Sequence, residues 1–446
     1  MAVGADRPSP ATASLQQLID AAPITGLQIR VILLCTLVTF AEGVDLNLIP
    51  LLAPSIARQW ALPSAAFGII FSAGPIGLIV GGLAIGWLAD RIGRRPALVT
   101  AMLIMAVPTA LTGWTSNVTE LGLCRLVTGI GFGGVVPAAA ALVSEFLPTR
   151  LRASVVALVI VGQSIGGFVA ALLMRTAIGT LGWQTLVVAM AGLCLLVTLV
   201  LYVALPESPR YLLLDPRRGE RLARMLARMR LAGSPTPEEA PANADQGNRI
   251  VALFTGGRAI GTALLWGTFI GVCAVVSFFT SWLTLIYTYA GQSADAGVAA
   301  SAAYWAGGIV SGLALPLFAL RWSVSRVLLL AIGGAALSSV ALGGVLGGGA
   351  MLGFALAFAC GVFVSGAFYL LYPPAVSFYP TAIRSTGIGA AVAFGRIGNT
   401  LSPIAASLLL GYGVLPGRVV ALMAVPLLFS ACTLVAFRRL LRRSQA

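Results

Sequence analysis

The chain contains no histidine and no lysine, and only 14 of its 446 residues are acidic. Charged residues of every kind make up 9%, where a soluble domain carries roughly 25%. Without histidine there is no Cys/His metal spacing and no imidazole to relay a proton. The six cysteines, Cys35, Cys124, Cys194 and Cys273 among them, fall mostly inside apolar runs and show no CxxC pair. They read as small buried apolar groups rather than a disulfide frame or a metal site. No phosphate-binding loop stands between a strand and a helix. A membrane enzyme or a sensor is left without a catalytic constellation, and no metal or cofactor is implied.

What is present is apolar. Hydrophobic residues make up 59% and the mean hydropathy is +0.97. Runs near 20 residues, long enough to cross a bilayer as helices, recur along the chain. The twelve candidate spans lie near 31–52, 65–88, 97–114, 119–143, 153–175, 184–205, 257–289, 297–320, 326–346, 351–378, 385–411 and 418–437. Between the two sets of six lies a polar stretch. It holds "RRGERLARMLARMR", which reads as a basic amphipathic helix on the membrane surface, and "GSPTPEEAPANADQG", which reads as flexible linker. The expected organisation is an all-α membrane protein. It has a six-helix bundle over 1–205, a cytoplasmic loop over 206–256 and a six-helix bundle over 257–446 that ends in a short basic tail. The N-terminal segment is polar and shows no signal-peptide core.

All 28 basic residues are arginine, and the net charge is +14. In a soluble protein that balance would suggest nucleic acid. Here the arginines sort by side. With both termini placed inside, 23 of the 28 fall in inside loops and flanks. Arg58, Arg175 and Arg418 fall outside, and Arg125 and Arg396 lie within spans. The asymmetry predicts cytoplasmic termini.

The two sets are repeats. "FLPTRLRAS" at Phe146–Ser154 matches "FYPTAIRST" at Phe378–Thr386 with a constant offset of 232, which brings Arg384 onto Arg152. Both copies sit at the start of the fifth helix of their set. Parallel repeats of this kind describe a secondary transporter with its substrate site near the midplane.

Three stretches carry charge where charge is informative. "GWLADRIGRRP" at Gly86–Pro96 joins the second and third helices. Gly86 is read as a point of close helix approach and Gly93 as a tight turn. Asp90 with Arg91, Arg94 and Arg95 reads as a charge network over a cytoplasmic gate; Arg152 and Arg384 join the same set. The corresponding loop of the second half, "LFALRWSVSRV", keeps Arg321 and Arg326 but has no Asp or Gly. "CRLVTGIGFGG" opens the fourth helix. Its Gly129, Gly131 and Gly133 make a smooth packing face. Arg125 either has a carboxylate partner or snorkels near the outer end.

"TFAEGVDLNLIP" places Glu42 and Asp45 deep in the first span, three residues apart on one helix face. They are the only deep acids in the chain. Two carboxylates so close in a dry cavity should not both be ionised, so one is a candidate proton carrier; an ion pair that locks helices is the structural alternative. "AFGRIGNTLSP" places Arg396 midway along the eleventh span, with Asn399 a turn further on. At the 232 offset Arg396 falls on Ser164, so the repeat is broken by a full charge. A fixed cation at that depth suits an anionic substrate. Phe278 and Trp282, Tyr304 and Trp305, and Phe368, Tyr369 and Tyr372 lie on the seventh, eighth and tenth spans. At helical spacing such aromatics pack; near the midplane they can also clamp a ring.

The Gly86–Pro96 stretch resembles the second-to-third-helix signature of the major facilitator superfamily, and "CRLVTGIGFGG" resembles its fourth-helix motif. "LPESPRYLL" resembles the end of the sixth helix of many solute porters. The fifth helix, "VIVGQSIGGF", lacks the Gly-Pro element of the drug/proton antiporters. "EGVD" resembles the Asp-Gly-x-Asp element of the aromatic acid/proton symporters, with Glu in place of the first Asp. The resemblance covers nearly the whole chain apart from the termini and 206–256. It implies proton-driven uptake of aromatic acids such as benzoate, hydroxybenzoates or protocatechuate across a bacterial inner membrane. The functional charges of that family would fall on Glu42, Asp45, Asp90, Arg125, Glu145, Arg384 and Arg396. The candidate sets are therefore three. Glu42, Asp45 and Arg125 serve proton coupling. Arg396, Asn399, Phe278, Trp282, Tyr304 and Tyr369 serve substrate binding. Gly86, Asp90, Arg91, Gly93, Arg94, Glu145, Arg152 and Arg384 serve the gate. The expected partners are a small aromatic carboxylate, protons and the lipid bilayer, with no nucleic acid, and the expected working unit is a monomer. A sugar or polyol porter is the rival reading, with a drug/proton antiporter behind it.

Overall fold

An apolar segment in lipid must satisfy its own backbone hydrogen bonds, so each long run closes into a helix. The computed structural model describes residues 14–231, 250–380 and 383–443, and among these there is no strand. The spanning helices of the first half are α1 (Gly26–Gln59), α2 (Ser64–Ile92), α3 (Arg94–Thr112), α4 (Val118–Phe146), α5 (Thr149–Ala177) and α6 (Gly179–Ala204). Those of the second half are α7 (Ala259–Tyr289), α8 (Ala294–Arg321), α9 (Val324–Val345), α10 (Ala350–Phe378), α11 (Arg384–Gly411) and α12 (Pro416–Arg442). Eleven of them are long and apolar enough to cross a membrane. α11 matches them in length, with 28 residues, but carries Arg396, Asn399, Thr400 and Ser402 along its course. Large apolar side chains such as Leu83, Val203, Leu337 and Met351 stand exposed on the outside of the bundle, as lipid-facing groups do.

The ends of the helices are set locally. The Asn117 side chain accepts from the Glu120 backbone N–H at the start of α4, and Ser293 does the same for Ala296 at the start of α8. The helical run breaks at Gly182, in the first turn of α6, where φ is +70°. α10 contains one π-helical turn, Gly361–Ser365.

The repeat read from the sequence has a structural counterpart. The Arg152 Nε donates to the Leu147 carbonyl at 3.2 Å, and the Arg384 Nε donates to the Tyr379 carbonyl at 3.3 Å. Donor and acceptor are both displaced by 232. Thr381, a further member of the repeat, lies outside the described residues, as does the expected linker at 233–247. The basic stretch before that linker forms the helix Gly219–Arg228. Its Leu222, Met225 and Leu226 are buried in the core of the first half with Leu15 and Ile19. Protein therefore covers the apolar face that was expected to lie on lipid.

Two apolar cores show how the halves meet. One is continuous through both halves: Leu48, Leu52, Phe67 and Phe71 of the first pack in one cluster with Phe278, Trp282 and Tyr304 of the second. The other, nearer the arginine-rich ends of the helices, contains Val31, Val38, Leu98, Met102, Leu142 and Phe146 and no residue of the second half. The bonds between halves follow the same division. Ser72 Oγ donates to the Thr400 carbonyl at 2.9 Å, and Trp305 Nε1 donates to Asn47 Oδ1 at 2.8 Å. Phe71 and Trp282 meet edge to face at 5.3 Å. Arg175 makes a two-point pair with Asp295 at 2.9 and 3.2 Å. All of these lie in the part of the spans farther from the arginine-rich end.

Candidate functional site

Glu42 is in the middle of the 34-residue α1, and Asp45 lies one turn beyond it. Both are buried, at 3% and 0% exposure. α1 is drawn tightly onto α5 because Gly43 leaves room for the Gln163 backbone and Gly166 leaves room for Phe40 and Val44. With that side occupied, Asp45 faces α4. Its Oδ2 is 3.9 Å from Arg125 Nη1. Arg125 is 7% exposed, so it does not snorkel. Its Nη2 donates to Thr109 Oγ1 at 3.0 Å and to Thr112 Oγ1 at 3.4 Å. Glu42 Oε2 and both Asp45 oxygens are buried without a hydrogen-bond partner. Taking ions out of water costs several kcal/mol each, and only close pairing offsets it. Here Arg125 faces Asp45 at a distance longer than a hydrogen bond, and Glu42, one turn away, is in no ion pair among the described residues.

Arg396 comes from the other half. It lies near the middle of α11 and reaches across to α2, where its Nη1 donates to the Leu78 carbonyl. Gly82 provides the space, since a Cβ there would collide with the guanidinium. The ion pairs among the described residues involve Arg94, Arg125, Arg175 and Arg218, and Arg396 is in none of them. Neither deep acid pairs with Arg396; Asp45 faces Arg125. Asn399 Oδ1 is buried and unpartnered, while the Asn399 carbonyl accepts from Ser277 Oγ at 2.8 Å.

The aromatics divide. Phe278 is fully buried against Phe279, at 5.4 Å between ring centres, and belongs to the core. Trp282 is fully buried where α7 meets α2. Tyr304 stacks on Phe279 at 5.6 Å. Tyr369 bonds Ser164 across the halves at 2.7 Å.

At the arginine-rich end a second charge set surrounds the α2–α3 turn. Gly93 takes φ +105°, and a side chain there would meet Glu207 and Tyr211. Arg94 pairs with Asp90 at 2.8 Å and with Glu145 at 3.4 Å. Arg91 lies over the Trp87 ring at 3.9 Å. Glu207 Oε1 accepts the Arg94 and Arg95 backbone N–H groups at 2.9 and 3.1 Å, and so caps the N-terminus of α3. Burial holds the Glu207 carboxyl above the usual glutamate range, against the pull of these donors. Glu145 also accepts from the Ser208 hydroxyl. Sequence reading assigned no role to Glu207; its signal was the stretch "PESPR". Gly86 is corrected: a Cβ there meets nothing within 4 Å, because that part of α2 faces away from its neighbours. The close approach occurs instead at Gly129 and Gly133 of α4, against the α2 backbone at Gly74 and Gly81–Gly82.

Residues 35–403 match the Major Facilitator Superfamily. The chain is 32% identical to a 4-hydroxybenzoate transporter of Pseudomonas aeruginosa, over 90% of each chain. It is 29% identical to a gallate transporter of Pseudomonas putida, over 96% of this chain and 94% of that one. A 3-(3-hydroxy-phenyl)propionate transporter of Escherichia coli is 32% identical, over 89% and 93%. Among solved structures, a D-xylose–proton symporter superposes with a TM-score of 0.68 at 16% identity, covering 90% of this chain and 97% of that one. Sequence, twelve-helix architecture and relatives agree: the chain belongs to the Major Facilitator Superfamily, and within it to the aromatic acid transporters.

Proposed function

We propose that the protein is a proton-coupled symporter that takes up a small aromatic carboxylic acid, such as benzoate, a hydroxybenzoate or protocatechuate, by alternating access. The observation that carries this reading is the separation of charges. Arg396 is a mid-helix cation bonded to a carbonyl and paired with no acid among the described residues. Of the two deep acids, Asp45 faces Arg125 and Glu42 is in no ion pair among the described residues. A substrate carboxylate fits the first place and a proton fits the second. Relatives named for 4-hydroxybenzoate and gallate support the choice of substrate class.

The working cycle follows from these parts. The arginine-rich end faces the cytoplasm of a bacterial inner membrane, with both termini on that side. The shared core and the Arg175–Asp295 pair then close the outer side, and the substrate leaves inward. Glu42, with its unpartnered oxygen, is the better proton carrier; Asp45 holds Arg125. The α2–α3 charge set closes the cytoplasmic side in the opposite state. The bundles 1–205 and 257–446 move as the two rocking units, and one chain suffices. Arg396 speaks against a neutral sugar or polyol. Uptake of labelled benzoate beside labelled glucose by the purified protein in liposomes tests the reading. Benzoate uptake without glucose uptake is expected, and the reverse would overturn it.

A further inference from the structure

The seam between α5, α8 and α10 holds a polar group that the proposed cycle does not use. Four hydroxyls gather there in the middle of the bundle: Ser164, Tyr304, Ser365 and Tyr369. Ser164, Tyr304 and Ser365 are buried, at 0%, 1% and 7% exposure. Ser164 Oγ and Tyr369 Oη are 2.7 Å apart. The Oγ atoms of Ser164 and Ser365 each lie 3.2 Å from the place a Cβ would take on Gly308. Tyr304 is one turn before Gly308 on α8, so it lies on the same face. Its Oη is buried with no hydrogen-bond partner.

Two further features show that the seam is built around these hydroxyls. Ser365 and Tyr369, four residues apart, share one face of α10 directly after the π-helical turn Gly361–Ser365, and such turns are frequent at functional sites. Gly361 lets that turn press against the Tyr304 backbone. From Tyr369, rings continue along α10: Phe368 is 6.0 Å from Tyr369 and 6.2 Å from Tyr372. These rings continue the seam along α10 beyond the hydroxyls.

A buried hydroxyl without a partner is costly unless a ligand supplies one. We infer that Ser164, Tyr304, Ser365 and Tyr369 form a subsite for a phenolic hydroxyl on the ring of the transported acid. This rests on the reading of the protein as an aromatic acid carrier and narrows it to hydroxylated rings. A phenol both donates and accepts, as do serine and tyrosine hydroxyls, so one ring hydroxyl can complete Tyr304 and join the Ser164–Tyr369 bond. A methyl group in that place leaves Tyr304 unsatisfied.

The test is competition against uptake of labelled 4-hydroxybenzoate in proteoliposomes, using benzoate, 3-hydroxybenzoate, 4-hydroxybenzoate and 4-methylbenzoate. In the wild type, at least one hydroxylated acid should compete more strongly than benzoate and 4-methylbenzoate. In Tyr304→Phe the ratio of inhibition constants should shift by about 3- to 10-fold toward the unsubstituted acid. A ratio measured within one preparation is independent of expression and insertion. Ser164→Ala, which leaves Tyr304 in place, gives a second reading should Tyr304→Phe fail to insert. The empty Tyr304→Phe protein loses an unpartnered donor, so its melting temperature should hold or rise. Equal competition by all four acids in the wild type, or an unchanged ratio in the variants, overturns the subsite alone. A wild-type protein that takes up no aromatic acid overturns the parent reading, and this one with it.

Discussion

Ser164 and Arg396 occupy equivalent places in the two halves, 232 residues apart, and each crosses to the other half. The Ser164 hydroxyl meets Tyr369 on α10, and the Arg396 guanidinium meets the Leu78 carbonyl on α2. A pseudo-twofold scaffold thus presents a neutral donor on one side of the bundle and a cation on the other. An aromatic acid with a charged end and a polar ring fits that asymmetry.

Arg396 is the first place to test it. A planar carboxylate is best held by the fork of a guanidinium. Arg396→Lys should weaken uptake by about 10- to 100-fold, and Arg396→Ala should weaken it further. Benzamide and methyl benzoate should not compete with benzoate for wild-type uptake. Equal competition by benzoate and benzamide would remove the carboxylate from Arg396.

The two deep acids should separate by variant. Glu42→Gln leaves the Asp45–Arg125 pair in place. It should abolish accumulation driven by a pH gradient and preserve exchange of internal for external substrate. Asp45→Asn strips a buried arginine of its carboxylate, a loss of about 3–5 kcal/mol in a typical buried pair. Its melting temperature should therefore fall as well as its transport. Gradient-driven accumulation at wild-type levels in both variants would place the proton route elsewhere.

Much of this was legible in the chain. Spans, arginine sidedness, the repeat and the deep acids all follow from composition and spacing, because lipid imposes length and sidedness on every segment. What was not legible depends on which faces meet. Thr109 and Thr112 look like neutral residues of an apolar helix, yet they hold Arg125. Gly82 is one glycine among 52 until Arg396 is seen against it. Gly86 shows the converse: it matches a motif in spacing, but it lies on the open face of α2, away from the side that packs through Ile85.

The α2–α3 turn offers a contrast between two glycines of one motif. Gly93→Ala combines a positive φ with collisions at Glu207 and Tyr211, and it should impair transport. Gly86→Ala should be tolerated or should stabilise slightly, by up to about 1 kcal/mol from helix propensity. Asp90→Asn releases Arg94 far from the substrate and should slow turnover more than it weakens binding. Uptake kinetics beside equilibrium binding separate these outcomes; lost binding with unchanged turnover in Asp90→Asn would contradict a gate.

The most direct measurement is accumulation of labelled 4-hydroxybenzoate by purified protein in liposomes whose interior is made alkaline relative to the medium. Proton-coupled uptake predicts a protein-dependent initial rate, above that of protein-free liposomes in the same gradient, that rises with the pH gradient, is abolished by a protonophore and is absent from the Glu42→Gln protein. A protein-dependent rate that is the same with and without the pH gradient would contradict it.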